Sequence, residues 1–279
     1  MKRILCPTDF SEASLNAIEF AAKIGETHNS QLTLLYIIRQ DQIKEVIKKG
    51  GKDLSIEEWN YLAEEKLKNL VAEISEISEN HGLLRCDYKI LIGNLEKSIV
   101  EFAKDNRYDL IVMGTSGVRD VTEQYMGNTT FKVIHTSQCP IICVPIRAQY
   151  DGFKKVVYAT DYQEEDKIMV QELIYFCYPF NAELDILHIS KTDSIIDQAM
   201  YEQFKTDIKN FIQYENINFV KKVYKNDVST GIDKYMLDEK ATLLVLLERH
   251  RNYFDQVFHK SVVKHMSYFT DYPILVFKS

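Results

Sequence analysis

Three of the ten glycines in this chain lie within fourteen consecutive residues. Gly114, Gly117 and Gly127 have the spacing G-x2-G-x9-G, and the apolar segment Leu110–Met113 immediately precedes the first of them. A backbone without a Cβ can come close to a phosphate group, and the free N–H groups at the start of a helix point toward an anion. The spacing therefore favours a phosphate-binding loop. The alternative is that Gly114 only permits a tight turn and Gly127 only starts a helix.

A carboxylate, Asp9, follows the short apolar segment Ile4–Cys6. An acid at the carboxyl end of a first strand can accept hydrogen bonds from ribose hydroxyls, as in dinucleotide-binding folds. The alternative role is an N-cap for the following helix, which aspartate fills well. Asp161 occupies the corresponding place in the second half of the chain. We therefore weigh equally a capping role in both halves and a ribose contact in the first half alone.

Familiar catalytic patterns are missing from the sequence. It has no Ser-His-Asp order, no HExxH and no Walker lysine motif, and no nucleophile stands beside a general base. Cys139 and Cys143 lie on one predicted strand about 13 Å apart, too far for a disulfide or a shared metal. We therefore expect a binding protein rather than an efficient enzyme, with no structural metal.

The composition is that of a protein with an apolar core: 46% of the 279 residues are hydrophobic and 27% are charged. The formal net charge of -7 argues against a nucleic-acid partner and against an anionic membrane. The five cysteines lie mostly in apolar segments, so reduced thiols are expected rather than disulfides. No apolar stretch approaches the roughly 18 residues that span a bilayer, and no signal-peptide pattern is present. We expect a cytoplasmic location.

The chain contains an internal repeat. A shift of 152 residues places Lys2–Ile37 on Lys154–Ile189 without a gap, and a shift of 133 places Leu110–Pro145 on Leu243–Lys278. The polar stretch Gln149–Gly152 separates the two copies. We therefore predict two domains, residues 1–150 and 151–279. The first domain contains the three glycines of the predicted phosphate-binding loop.

Each copy alternates short apolar segments with amphipathic helical segments. This pattern predicts two tandem doubly wound α/β domains, each with a five-stranded, mainly parallel sheet and helices on both faces. In such sheets ligands bind beyond the carboxyl ends of the strands, where the winding direction reverses. The second copy has Leu247, His250 and Lys260 in place of the three glycines. These bulky residues predict a degenerate, structural second domain, although Lys260 with Ser261 could bind an anion by itself.

The segment Ile4–Ser11 resembles the opening of universal stress proteins, and the glycine spacing is similar to their ATP-binding signature. The resemblance extends over both halves of the chain, so the protein resembles a tandem member of that family. In ATP-binding members one group of residues holds the adenosine, a second lines the adenine slot and a third holds the phosphates. The matching residues here are, in that order, Pro7, Thr8 and Asp9; Ile37 and Met113; and Gly114, Ser116, Gly117, Gly127, Asn128, Thr129 and Thr130.

The chain departs from the family pattern at Asn128, where a serine or threonine usually follows the last glycine. An asparagine amide can still donate, and Thr130 keeps a hydroxyl, so we expect a weakened site that still binds. The resemblance implies ATP or AMP as the ligand. It leaves open whether Mg²⁺ accompanies the phosphates, and the highest activity that we expect is weak ATP hydrolysis. The alternative function is a nucleotide-free scaffold that acts through protein contacts.

The resemblance also implies how the two copies associate. The fifth strands, Ile141–Val144 and Ile274–Phe277, are almost wholly apolar, and an exposed apolar edge strand is an aggregation hazard. Universal stress proteins commonly dimerise through that edge. We therefore expect an intramolecular pseudo-dimer of the two domains, with a homodimer through other surfaces left open.

Overall fold

The computed structural model describes residues 1–39, 55–79, 84–115, 128–248 and 271–278. It forms two compact units, Met1–Ile146 and Arg147–Ser279. The predicted residues Ser116, Gly117, Gly127, His250 and Lys260 lie outside the described residues. No helix in the described part of the chain is both long and apolar enough to cross a membrane.

In the described residues of the first unit, five parallel strands alternate with helices, in the order β3-β2-β1-β4-β5 across the sheet. The elements are β1 (Arg3–Thr8), α1 (Glu12–His28), β2 (Gln31–Arg39), α2 (Ile56–Glu79), β3 (Arg85–Gly93), α3 (Leu95–Asp105), β4 (Leu110–Gly114), α4 (Asn128–Thr136) and β5 (Ile141–Val144). Because β–α–β crossovers are right-handed, α1 and α2 cover one face of the sheet and α3 and α4 the other.

The second unit repeats this architecture with the strand order β10-β9-β6-β7-β8. Its elements are β6 (Lys155–Ala159), α5 (Glu164–Cys177), a short 3-10 turn (Tyr178–Phe180), β7 (Glu183–Ser190), α6 (Ile195–Phe211), β8 (Ile217–Val223), α7 (Val228–Asp238), β9 (Leu243–Glu248) and β10 (Ile274–Lys278). The predicted fold class, two doubly wound α/β domains, is confirmed.

The central strands are apolar because both of their faces are covered. Every residue of β5 and β9 is buried, as are the four residues that precede Gly114 in β4. Ser11 is the N-cap of helix α1 and accepts a hydrogen bond from the backbone N–H of Ser14. All five cysteines are free, as expected, and burial raises the pKa of Cys143 to about 12. The buried thiols therefore belong to the core.

One prediction about α2 is wrong. The helical pattern assigns Leu62 to the apolar side together with Leu67 and Ile74. Leu67 and Ile74 are buried, whereas Leu62 is exposed. Five residues separate Leu62 from Leu67, which places Leu62 about 140° around the helix from it. Ala63 lies about 40° from Leu67 and is buried, so the buried side of α2 includes Ala63 rather than Leu62.

Candidate functional site

In the first unit the winding direction reverses between β1 and β4, and the carboxyl ends of such strands are where doubly wound sheets bind their ligands. Strand β1 pairs with β2 on one side and β4 on the other, so the connections that leave β1 and β4 diverge above it. Thr8, the last residue of β1, is level with Tyr36 of β2. Strand β4 ends at Gly114, and α4 is the next described element. Asp9, Gly114 and the first turn of α4 are therefore placed around one edge of the sheet.

Asp9 is exposed and does not cap α1 itself. Its Oδ1 accepts hydrogen bonds from the backbone N–H of Ser11 at 3.1 Å and from the Ser11 hydroxyl at 2.5 Å. Ser11, as the N-cap, in turn accepts from the Ser14 N–H at 3.3 Å. The capping alternative for Asp9 is therefore wrong. Ser11 is the N-cap, and Asp9 accepts hydrogen bonds from Ser11. This arrangement orients the carboxylate at the end of β1 and leaves it open to solvent.

Thr8 shapes the turn between β1 and α1. Its buried hydroxyl lies 3.0 Å from the hydroxyl of Ser14, and its Oγ1 accepts from the Phe10 backbone N–H at 3.1 Å. Phe10 has a φ of 63°, a left-handed conformation that a non-glycine residue adopts only when its surroundings hold it there. Pro7 is buried within β1. The first three predicted residues thus build a turn of defined shape that presents Asp9.

The predicted adenine-slot residues Ile37 and Met113 are both buried, in β2 and β4 respectively. They stand near the carboxyl ends of the two strands that flank β1. An apolar surface on either side of β1 is chemically suited to the flat face of a base. Neither side chain offers a hydrogen bond, so specificity for a base would depend on backbone groups and on Asp9.

Gly114 lies against the first turn of α1. A Cβ placed on it would be 2.6 Å from the carbonyl oxygen of Ala13, a contact that no real Cβ makes. Thr130, buried in α4, donates a hydrogen bond from its hydroxyl to the Gly114 carbonyl at 3.0 Å. Gly114 therefore permits α1 to pack closely against β4, and the hydrogen bond from Thr130 connects the start of α4 to the end of β4. Asn128 begins α4 and Thr129 is half-buried beside it.

Sequence patterns do not identify two cations and one acid at this edge, namely Lys132, Arg39 and Glu96. Lys132 of α4 forms an ion pair with Glu96 in the first turn of α3, with Nζ and Oε1 3.0 Å apart. Burial by itself would raise the pKa of Glu96, but its own backbone N–H, Lys132 and Arg39 outweigh burial and lower it. These residues are 36 to 93 positions apart in the chain, so no local spacing could have identified them.

The corresponding edge of the second unit is built differently. Leu247 stands where the first unit has Gly114, and it is followed by Glu248, which forms a buried ion pair with Lys278 of the adjacent strand. On the other side of this edge, the ring of His188 stacks on Tyr162, with centroids 4.0 Å apart. The Nδ1 of His188 lies 2.8 Å from the Thr160 carbonyl. Side chains that contact one another therefore occupy this edge.

Metal ligation receives no support from the residues that the structure describes. Among them, no group of three or more His, Cys, Asp or Glu side chains is placed to hold a metal ion. The two acids of the glycine-rich segment, Asp120 and Glu123, lie outside those residues.

The fold defines a doubly wound α/β protein whose first unit has its switch point between β1 and β4. The model of the universal stress protein family matches residues 1–145, which is half of the chain, and the chain belongs to that family. The universal stress proteins MJ0577 and MJ0531 of Methanocaldococcus jannaschii are 31% and 28% identical to it. Each match covers 51% of this chain and, respectively, 94% and 81% of the relative.

Several solved structures resemble the whole chain. A universal stress protein from Archaeoglobus fulgidus has a TM-score of 0.73 and covers 99% of this chain and 98% of its own, at 17% identity. At that identity the likeness concerns the fold alone. It extends over both units, whereas the family model and the two relatives above match about half of the chain.

Proposed function

We propose that this universal stress protein is a regulatory protein of the stress response that binds an adenine nucleotide, ATP or AMP, in its first unit. One observation supports this most directly. The exposed carboxylate of Asp9 follows β1. The start of α4 is hydrogen-bonded through Thr130 to Gly114, the last residue of the adjacent strand β4. A ribose acceptor and an anion-attracting helix start are the two groups that a nucleotide needs at such an edge.

The residues present fit the chemistry of a nucleotide. Pro7 and Thr8 set the turn that presents Asp9 to ribose hydroxyls, and Ile37 and Met113 offer apolar surface to the base. Backbone donors after β4 would hold the phosphates, together with side chains from the segment that leads into α4. We propose for this role the residues Gly114, Ser116, Gly117, Gly127, Asn128, Thr129 and Thr130. Mg²⁺ would accompany the phosphates.

The second unit would bind no nucleotide. Leu247 replaces the glycine at the end of the fourth strand, and the buried Glu248–Lys278 ion pair occupies the same edge. We propose that this unit is a degenerate universal-stress-protein domain with a structural role. It would pair with the first unit as an intramolecular pseudo-dimer, and the whole protein would act in the cytoplasm.

A second candidate, a nucleotide-free scaffold of the same fold, has one specific observation in its favour. Gly114 is required by its contact with Ala13, and the Thr130 hydroxyl is used by the Gly114 carbonyl. These two of the seven residues of the predicted phosphate site therefore have structural reasons to be present without any ligand.

The experiment that separates the two candidates measures bound nucleotide directly. The purified protein is denatured, and the supernatant is analysed for adenine nucleotides by chromatography; calorimetric titration with ATP and with AMP then follows. Asp9→Asn should weaken both nucleotides, because it removes the charged ribose acceptor. The matched control is Asp161→Asn, the corresponding position of the second unit. Absence of released nucleotide together with no heat of binding would favour the scaffold.

A further inference from the structure

We propose that the second unit contains a proton-operated clamp at the edge that corresponds to the nucleotide edge of the first unit. The clamp is the ring of His188, which in its protonated form connects Thr160, at the end of β6, to Asp197 in the first turn of α6. Loss of the proton opens the clamp. This inference goes beyond nucleotide binding and does not depend on it. It adds a regulatory role to the structural role of the second unit.

Both ring nitrogens of His188 face oxygen atoms that can only accept hydrogen bonds. Nδ1 lies 2.8 Å from the carbonyl oxygen of Thr160, and Nε2 lies 3.2 Å from Oδ1 of Asp197. A neutral imidazole has one N–H, so it can donate to only one of these oxygens, and the lone pair of its other nitrogen then faces an acceptor. The two contacts are therefore both hydrogen bonds only when the ring is protonated.

Asp197 stays ionised because a cation holds it from its other side. The Nζ of Lys221 lies 2.8 Å from Oδ2 of Asp197, and only 9% of the Lys221 side chain is exposed. Burial by itself would raise the pKa of Asp197, but the hydrogen bond from Lys221 and the charges of His188 and Lys221 outweigh burial and lower it. The carboxylate is therefore an acceptor throughout the pH range in which histidine changes its charge.

The surroundings hold the ring in place between these partners. His188 is level with Lys221 in the pairing of β7 with β8, so both side chains leave the sheet on the same face as neighbours. On its flat side the ring stacks against Tyr162, with centroids 4.0 Å apart and an angle of 24° between the planes. An aromatic face attracts a cation, so the stack also favours the protonated ring.

Charges of both signs act on the proton. Lys221 opposes protonation, because it places a like charge beside the ring, and Asp197 favours it. Three further titratable groups lie around these residues in the described part of the chain. They are Asp166, which accepts from the Thr160 hydroxyl, Tyr201, which contacts Tyr162, and Asp193, which forms an ion pair with Lys221. The balance of these charges sets the pH at which the clamp opens.

Loss of the proton breaks one of the two contacts. If Nδ1 keeps its hydrogen, the lone pair of Nε2 faces the carboxylate of Asp197; if Nε2 keeps it, the lone pair of Nδ1 faces the carbonyl of Thr160. In either case the ring no longer connects β6 to the start of α6. In the first unit Tyr36 occupies the place of His188. A tyrosine does not change its charge near neutral pH, so the response belongs to the second unit.

The first test is an NMR titration of the His188 ring in the full chain, with its signal assigned by comparison with His188→Gln. Asp197→Asn should weaken proton binding by about 10-fold or more, because it removes the opposite charge and offers an amide donor to Nε2. Lys221→Met should strengthen proton binding, because it removes the like charge. The matched control is Asp193→Asn, which removes an acid with 73% of its side chain exposed and should change proton binding by less than about twofold.

The second test is hydrogen exchange, which measures whether the clamp holds α6. Exchange of residues 195–201, at the start of α6, is compared with exchange of residues 56–64, at the start of α2 in the first unit. In the wild type the protection of the α6 segment should fall by about threefold or more between about pH 5.5 and about pH 8.5, after correction for the intrinsic rate. His188→Gln should abolish this change, and the α2 segment should not show it.

Each outcome decides the proposal without reference to nucleotide binding. Equal proton binding in the wild type and in Asp197→Asn would overturn the clamp, and so would protection of α6 that is independent of pH. An effect of Asp193→Asn as large as that of Asp197→Asn would show that the general charge of the edge matters rather than the contact, and would also overturn it. If Asp197→Asn does not fold, a Lys221→Met variant without stronger proton binding overturns the proposal by itself. Absence of bound nucleotide would contradict the proposed function alone.

Discussion

Gly114 and Ala13 are in contact at a distance that leaves no room for a side chain: a Cβ on Gly114 would lie 2.6 Å from the Ala13 carbonyl oxygen. In the second unit, Leu247 and Glu165 occupy these positions, and Glu165 is exposed where Ala13 is buried. Phe20, one of the buried residues of α1, likewise corresponds to the exposed Glu172. Every residue that α5 buries corresponds to a buried residue of α1, and α1 buries further positions, among them Ala13 and Phe20.

This contact predicts a large effect of Gly114→Ala on stability. The clash is with backbone, which cannot move without displacing α1, so we expect a loss of about 1–3 kcal/mol in the free energy of unfolding. Gly25→Ala is the matched control. There the new Cβ meets the end of the flexible Leu84 side chain, and alanine favours the helix. Urea unfolding of both variants measures the difference, and equal losses would contradict the assignment.

Gly127→Lys should abolish nucleotide binding, because it copies into the first unit the residue that the second unit has at the corresponding position. We expect the fold to be kept, since the added side chain would exclude phosphates locally rather than disturb the core. Titration calorimetry with ATP measures the binding, and circular dichroism checks the fold. Unchanged ATP affinity would remove Gly127 from the site.

Saturation should occur near one nucleotide per chain. Leu247 and the buried Glu248–Lys278 ion pair occupy the edge of the second unit that corresponds to the phosphate side of the first. Equilibrium dialysis with a slowly hydrolysed ATP analogue gives the stoichiometry directly. Two nucleotides per chain would show that the second unit has kept a site, and Leu247→Lys should then remove only one of them.

Acid should weaken the start of α7. Burial alone would raise the pKa of Asp227, but hydrogen bonds from Ser229 and Thr230 outweigh it and lower the pKa from 3.8 to about 2. A carboxylate with a lowered pKa contributes stability above pH 4, and that contribution is lost as the pH falls toward 2. Asp227→Ala should therefore cost about 1 kcal/mol at pH 6 and little at pH 2.

Urea unfolding at both pH values measures that cost. Asp238→Asn, at the exposed end of the same helix, is the control and should show no such pH-dependent loss. A cost of Asp227→Ala that is the same at pH 6 and pH 2 would contradict the prediction.

A fragment of residues 1–147 should dimerise or aggregate. Its fifth strand, Ile141–Val144, is buried along its whole length and is the last strand in the order of the first unit. Without the second unit, we expect this apolar strand to pair with an edge strand of another copy of the fragment. Sedimentation velocity over a range of concentrations measures the association, with the full chain as reference. A soluble, monomeric fragment at high concentration would contradict the proposed pseudo-dimer.

Local features of the chain were predictable from the sequence because they depend on neighbouring residues. The apolar segments and their alternation indicate the strands, helices and fold class, and the hydroxyl of Ser11 is an effective cap wherever a helix follows it. Several strands extend beyond their apolar segments; β3, for example, begins at Arg85, three residues before Tyr88. Pairing with an adjacent strand extends an element past its apolar residues, and that extension has no local signal.

Contacts between distant segments were decided by the tertiary structure alone. By residue type, Asp9 could equally have capped α1. Only the folded turn shows that Ser11 is the cap and that Asp9 accepts a hydrogen bond from Ser11. The closeness of Gly114 to Ala13 depends on how far α1 stands from the sheet. The meeting of Lys132 with Glu96 depends on the rotation of α3 and α4 about their axes. Strand register and helix rotation result from packing the whole core, so no spacing along the chain encodes them.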